Sequence, residues 1–71
     1  MEFRERLYQL RKGRGISQEE LANAVGVSRQ AVQKWEAGAS TPDLNNLSAL
    51  ARYFSLTLVY LVRGVRPGAP Q

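Results

Sequence analysis

The sequence predicts an all-α domain, a compact bundle of five short helices, and three observations carry that prediction. Apolar residues recur at the three- and four-residue spacing of a helix face in one segment after another. Four of the five segments open on a serine, threonine or aspartate able to cap a helix, and glycines stand where most of them stop. No segment reads as a strand, and no internal repeat of solenoid type is present.

The first helix is predicted over Glu2 to Lys12, with Phe3, Leu7 and Leu10 on one face and Arg4, Glu5, Tyr8 and Lys12 turned elsewhere. Gly13 and Gly15, flanking Arg14, break the pattern, and Ile16 is expected to tuck back into the core. Arg11, Lys12 and Arg14 make the densest positive cluster, suited to a helix dipole's negative end and to phosphate alike. Ser17 and Glu20 have the spacing of a capping box, which starts the second helix. Leu21, Ala22 and Val25 form its core face, Gln18 projects with Ala22 and Val25 toward a neighbouring helix, and Gly26 ends it.

Ser28 can cap a third helix, whose residues sort into two sides at the helical step of about 100°. Ala31, Val32 and Trp35 form a core face, while Arg29, Gln30, Gln33 and Lys34 share the opposite side. A guanidinium fork and two amides are the groups that read base edges, arginine on guanine and glutamine on adenine, and Lys34 suits phosphate first and a base second. Two helices joined by a turn of three or four residues set the second of them into the major groove. Gly38 stops this helix, after Glu36 and Ala37.

Asp43 can cap a fourth helix that aligns Leu44, Leu47, Leu50, Ala51 and Phe54 inward, with Asn45, Ser48 and Arg52 facing water. After Ser55 and Leu56, Thr57 opens a last short helix closed by Arg63 and Gly64. Its Leu58, Leu61 and Val62 can serve the core, whereas Val59 and Tyr60 point away and suggest a partner surface. Residues 65–71, VRPGAPQ, lack periodicity and are expected to form a flexible tail to a domain spanning 1–64.

Ten Lys plus Arg against six Asp plus Glu leave a net charge of +4, which favours a polyanionic partner. Cysteine and histidine are both absent, removing disulfides, thiolate metal sites and the usual general base. With no cluster of acidic residues either, no enzyme, cofactor or metal is expected. No apolar run approaches the roughly 18 residues of a membrane span, and the amphipathic start does not read as a signal peptide. A soluble, cytoplasmic protein of one domain is expected, with no second domain for ligand binding, proteolytic control or oligomerisation.

Residues Arg6 to Gly38, with SQEELA at 17–22, VSRQ at 27–30 and WEAG at 35–38, carry a family likeness that continues through PDLNNLSALARYF at 42–54. The chain resembles the helix-turn-helix domain of phage repressors and Cro-like regulators, the XRE-type, lambda-repressor-like family. The resemblance implies a third helix lying in the major groove and a second crossing above it. It implies base reading by Ser28, Arg29, Gln30, Gln33 and Lys34. Phosphate contacts fall to Arg11, Arg14, Ser17 and Gln18 on one edge and to Gly38, Ser40 and Thr41 on the other. It also implies a structural ion pair between Arg11 and Glu36 and a buttress for the recognition helix from Gln18. The loop from Gly38 to Leu44 departs from some relatives in lacking the basic residue that they insert into the minor groove.

The function expected is a sequence-specific, double-stranded-DNA-binding transcriptional regulator, a repressor, acting as a homodimer on a two-fold operator with half-sites about one helical turn apart. Val59 and Tyr60 are its expected dimer contacts. The alternative is an antitoxin-like or adaptor module that binds chiefly a protein partner through Val59, Tyr60 and the tail.

Overall fold

The computed structural model describes residues 2–64, so the tail expected at 65–71 lies outside the described residues. Five helices follow one another: α1 Phe3–Arg14, α2 Gln18–Val25, α3 Arg29–Ala37, α4 Leu44–Tyr53 and α5 Leu58–Arg63. α2 packs on α3 and α4, while α1 packs on α3 and α5 and α4 closes on α5. The core is a single cluster of Leu7, Leu21, Ala22, Val32, Trp35, Leu50, Ala51, Phe54 and Leu61, to which every helix contributes.

Local chemistry sets most of the boundaries. At α2 the capping box is complete: Glu20 N–H donates to Ser17 Oγ at 3.0 Å, and Ser17 N–H donates to Glu20 Oε1 at 2.8 Å. Ser28, Asp43 and Thr57 accept in the same way from Ala31, Asn46 and Tyr60. Gly26, at φ 80°, takes the left-handed conformation that ends α2 and turns the chain into α3. Its N–H and that of Val27 both donate to Ala22 C=O at 2.9 Å.

Expectations at six residues are corrected. Gly13 does not break α1, which runs through it to Arg14. A glycine inside a helix costs only about 1 kcal/mol, and the stop forms instead where Gly15 and Ile16 N–H groups bond back to Lys12 and Arg11 carbonyls. Leu44, which the helical pattern assigns to the core, is 66% exposed at the first residue of α4. Leu58 and Val62 are 36% and 41% exposed, so α5, only six residues long, sends Leu61 alone into the core. Conversely, Tyr60 is half-buried rather than turned outward, and Ser48 is half-buried rather than facing water.

Arg6 is buried although it is missing from the faces that the sequence predicts. Arg6 is 6% exposed, and its Nη1 donates to Leu61 C=O at 3.3 Å, tying α1 to the C-terminal turn of α5. A signal for it is present: Arg6 stands three residues after Phe3 and four before Leu10, on the edge of the apolar face.

Candidate nucleic-acid interface

The candidate interface is built on α3, which the core holds by one side only. Val32 is fully buried and Trp35 nearly so, and Ala31 on the same side is half-buried. On the other side Arg29, Gln30, Gln33 and Lys34 are all exposed, with Ser28 exposed at the cap. Burial of one stripe therefore presents the opposite stripe to solvent, and nothing in the described chain lies over it. Ser28 Oγ accepts the Ala31 N–H at 3.2 Å, leaving the hydroxyl hydrogen to bond elsewhere.

Beneath α3 lies a buried polar knot. Arg11, from the last turns of α1, grips Glu36 bidentately, Nε to Oε2 at 2.7 Å and Nη2 to Oε1 at 3.0 Å. The remaining nitrogen, Nη1, donates to Ile16 C=O at 2.9 Å. Gln18 joins the same carboxylate, Nε2 donating to Oε1 at 3.1 Å. Arg11, Gln18 and Glu36 thus bind the ends of α1, α2 and α3 together around one carboxylate. The side chains of Arg11 and Glu36 are only 10% and 5% exposed, so the pair is shielded from salt. The Arg11 guanidinium has its pKa raised above the ordinary value, first by the hydrogen bond to Glu36, with burial opposing.

A cleft of about 510 Å³ opens between the starts of α2 and α3, lined by Arg11, Ser17, Gln18, Glu19 and Arg29. It gathers four residues singled out from the sequence, Arg11, Ser17, Gln18 and Arg29, although they lie up to eighteen positions apart. Arg14 is not among its lining residues. Its guanidinium instead sits 5.1 Å from the Tyr53 ring centre and 5.4 Å from that of Phe54, and Nη2 donates to Tyr53 C=O at 3.2 Å. At the other end of α3, Gly38, Ser40 and Thr41 are exposed on the loop that folds back over the helix's last carbonyls. Arg4, which the helical pattern leaves on an indifferent face of α1, borders that loop.

Among the described residues no group of three or more His, Cys, Asp or Glu is placed to hold a metal ion. No described helix is long and apolar enough to cross a membrane.

A family model described as helix-turn-helix matches residues 7–61. The chain is 44% identical, over 90% of its length, to the HTH-type transcriptional activator BcrR of Enterococcus faecalis, and 32% identical, over 84%, to the transcriptional repressor RstR of the cryptic phage CTXphi of Vibrio cholerae. It spans 31% of the first relative and 54% of the second. Its fold is similar to that of the P22 c2 repressor in complex with a synthetic operator, with a TM-score of 0.87 and 34% identity over 92% of this chain and 98% of that one.

Proposed function

The chain belongs to the helix-turn-helix family, and on that premise we propose that it is a sequence-specific transcriptional regulator, a repressor, that reads major-groove half-sites of duplex DNA with α3. One observation carries the reading: the exposed row of Arg29, Gln30, Gln33 and Lys34 on a helix whose other side is locked by Val32 and Trp35. Arg29 and the two glutamines have the donor and acceptor geometry for base edges, and Lys34 serves a phosphate. RstR and the P22 c2 protein are both named repressors, which supports the negative sense of regulation, whereas BcrR, at the higher identity of 44%, is named an activator.

The polar knot supplies the register. Gln18 spends one amide hydrogen on Glu36 and lines the cleft, where its second can donate to a phosphate beside the first turn of α2 and its dipole. Ser17 lines the same seat. Arg11 spends three of its five N–H groups within the protein and lines the cleft, so it holds Glu36 and Gln18 in place and lends its charge to the seat. Arg14, drawn against Tyr53 and Phe54, lies outside the seat and contributes only to the net positive charge of the domain.

Selection of bound sites from a random duplex pool at fixed salt is expected to enrich one motif. Arg29→Ala is then expected to cost about 1–3 kcal/mol on that motif and to relax choice at one or two of its base pairs. A pool recovered without enrichment would overturn the reading.

The exposed apolar side of α5 supports a homodimer on the operator. Leu58, Val59 and Val62 leave 36%, 53% and 41% of their surfaces exposed on one short helix, a patch a second copy can cover on adjacent half-sites. In sedimentation with a two-site duplex, the protein is expected to load as a pair, and Val59→Asp is expected to separate the two binding steps. Independent loading by the unsubstituted protein would remove the dimer. A module serving chiefly a protein partner would use the same patch, but it leaves the polar row on α3 without a purpose.

A further inference from the structure

We propose that Arg4 is the cation of a second phosphate seat, at the C-terminal edge of the recognition helix, supplied from α1 to a loop that has no basic residue of its own. The inference rests on the duplex-binding function proposed above. The loop from Gly38 to Leu44 contains Asp43 and no lysine or arginine. It also lies at the carbonyl end of α3, where the helix dipole is negative. A phosphate arriving there meets repulsion from both unless positive charge reaches it from another element.

Arg4 is in position to provide it. Gly38 takes a φ of 78°, and a Cβ added there would fall 2.8 Å from Arg4 Cδ and 3.5 Å from Nε. The arginine therefore runs directly across the bare α-carbon of the helix stop, packed by its methylenes and leaving its guanidinium at the loop. Together with Glu2, Trp35 and the hydroxyl-bearing Ser40 and Thr41 it lines a cleft of about 180 Å³. Its ion pair with Glu2 is long, 3.8 Å, and open to water, with the two side chains 47% and 75% exposed. Such a pair holds its partners weakly and yields readily to a phosphodiester. An arginine and two hydroxyls at one end of α3, and Gln18 with the start of α2 at the other, would grip the backbone on both sides of the base-reading row.

The test is the salt dependence of duplex binding by the full chain, with Arg4→Gln, Arg4→Lys and, as a control, Arg52→Gln on the exposed side of α4. The selected operator duplex and an unrelated duplex of equal length serve as probes. Loss of one phosphate contact lowers the slope of log K against log salt by about 0.9, so the affinity lost between about 50 and 200 mM salt shrinks roughly 3.5-fold. Arg4→Gln is expected to show that change on both duplexes, Arg4→Lys to restore the slope, and Arg52→Gln to leave it alone. Partial unfolding lowers affinity by one factor at every salt and leaves the slope, so a purely structural role for Arg4 reads differently. Scanning single neutral methylphosphonates along the operator should find one that weakens the unsubstituted protein and has no further effect on Arg4→Gln. An unchanged slope in Arg4→Gln overturns this proposal alone, and failure of the unsubstituted protein to bind any duplex overturns it together with the proposed function.

Discussion

Trp35→Ala is expected to lower the stability of the domain by about 3–5 kcal/mol, the range for emptying a buried large aromatic site. Trp35 is 4% exposed and joins α3 to the common cluster with Val32, so its removal leaves a void at the junction that α1, α2 and α3 share. Against a total of about 5–15 kcal/mol for a domain, that is a large fraction, and in a chain this small few other contacts compensate. Urea denaturation followed by circular dichroism measures it, since the substitution also removes the only tryptophan fluorophore. Trp35→Phe should recover part of the loss by refilling the site with a smaller ring. A drop below about 1 kcal/mol would mean that the core cluster does not anchor the helix, and the exposed polar row would lose its rigid support.

Glu36→Ala is expected to be about as damaging, some 3–5 kcal/mol, for an electrostatic reason. It strips Arg11 of two hydrogen bonds and its counter-charge while the guanidinium stays nine-tenths buried, with Ile16 C=O its remaining hydrogen-bond acceptor. It also releases the amide of Gln18. Replacing both charges with apolar groups of similar size, Arg11→Met with Glu36→Leu, should recover much of the stability, because no unpaired charge then remains buried. Operator binding should stay weakened in that double variant if the carboxylate is what aims Gln18 at phosphate. Equal stability of Glu36→Ala and the unsubstituted protein would show the knot to be dispensable. The raised pKa of Arg11 means that its contribution is fully present at every pH below the unfolded value and is lost only as pH rises through the folded one. Arg11 therefore adds no pH dependence of stability between neutrality and moderately alkaline solution.

The two variants separate what can be read along the chain from what cannot. The two sides of α3 follow from helical periodicity within nine residues, so Trp35 as anchor and Arg29 to Lys34 as the outward row are legible in the sequence. The bond from Gln18 to Glu36 spans eighteen positions and that from Arg6 to Leu61 spans fifty-five, and no local pattern encodes such pairs. Periodicity also says which apolar residues share a face without saying whether anything covers it. Leu44, Leu58 and Val62 satisfy the pattern and remain exposed, at the first turn of α4 and on the short α5. Arg4 has the sequence signature of an ordinary solvated residue because the glycine it crosses is thirty-four positions away.

The amino-acid order alone determined the five helices, most of their starts and stops, and the division of α3 into an inner and an outer side. Each of those depends on hydrogen bonds or side-chain spacing within a few residues of the backbone that forms them. Only the tertiary structure decided which charged groups are drawn inward, that one carboxylate is shared by Arg11 and Gln18, and that Arg4 lies across Gly38. Those outcomes depend on where separate helices come to rest when the common core closes, because desolvation acts on whole faces brought together from distant parts of the chain.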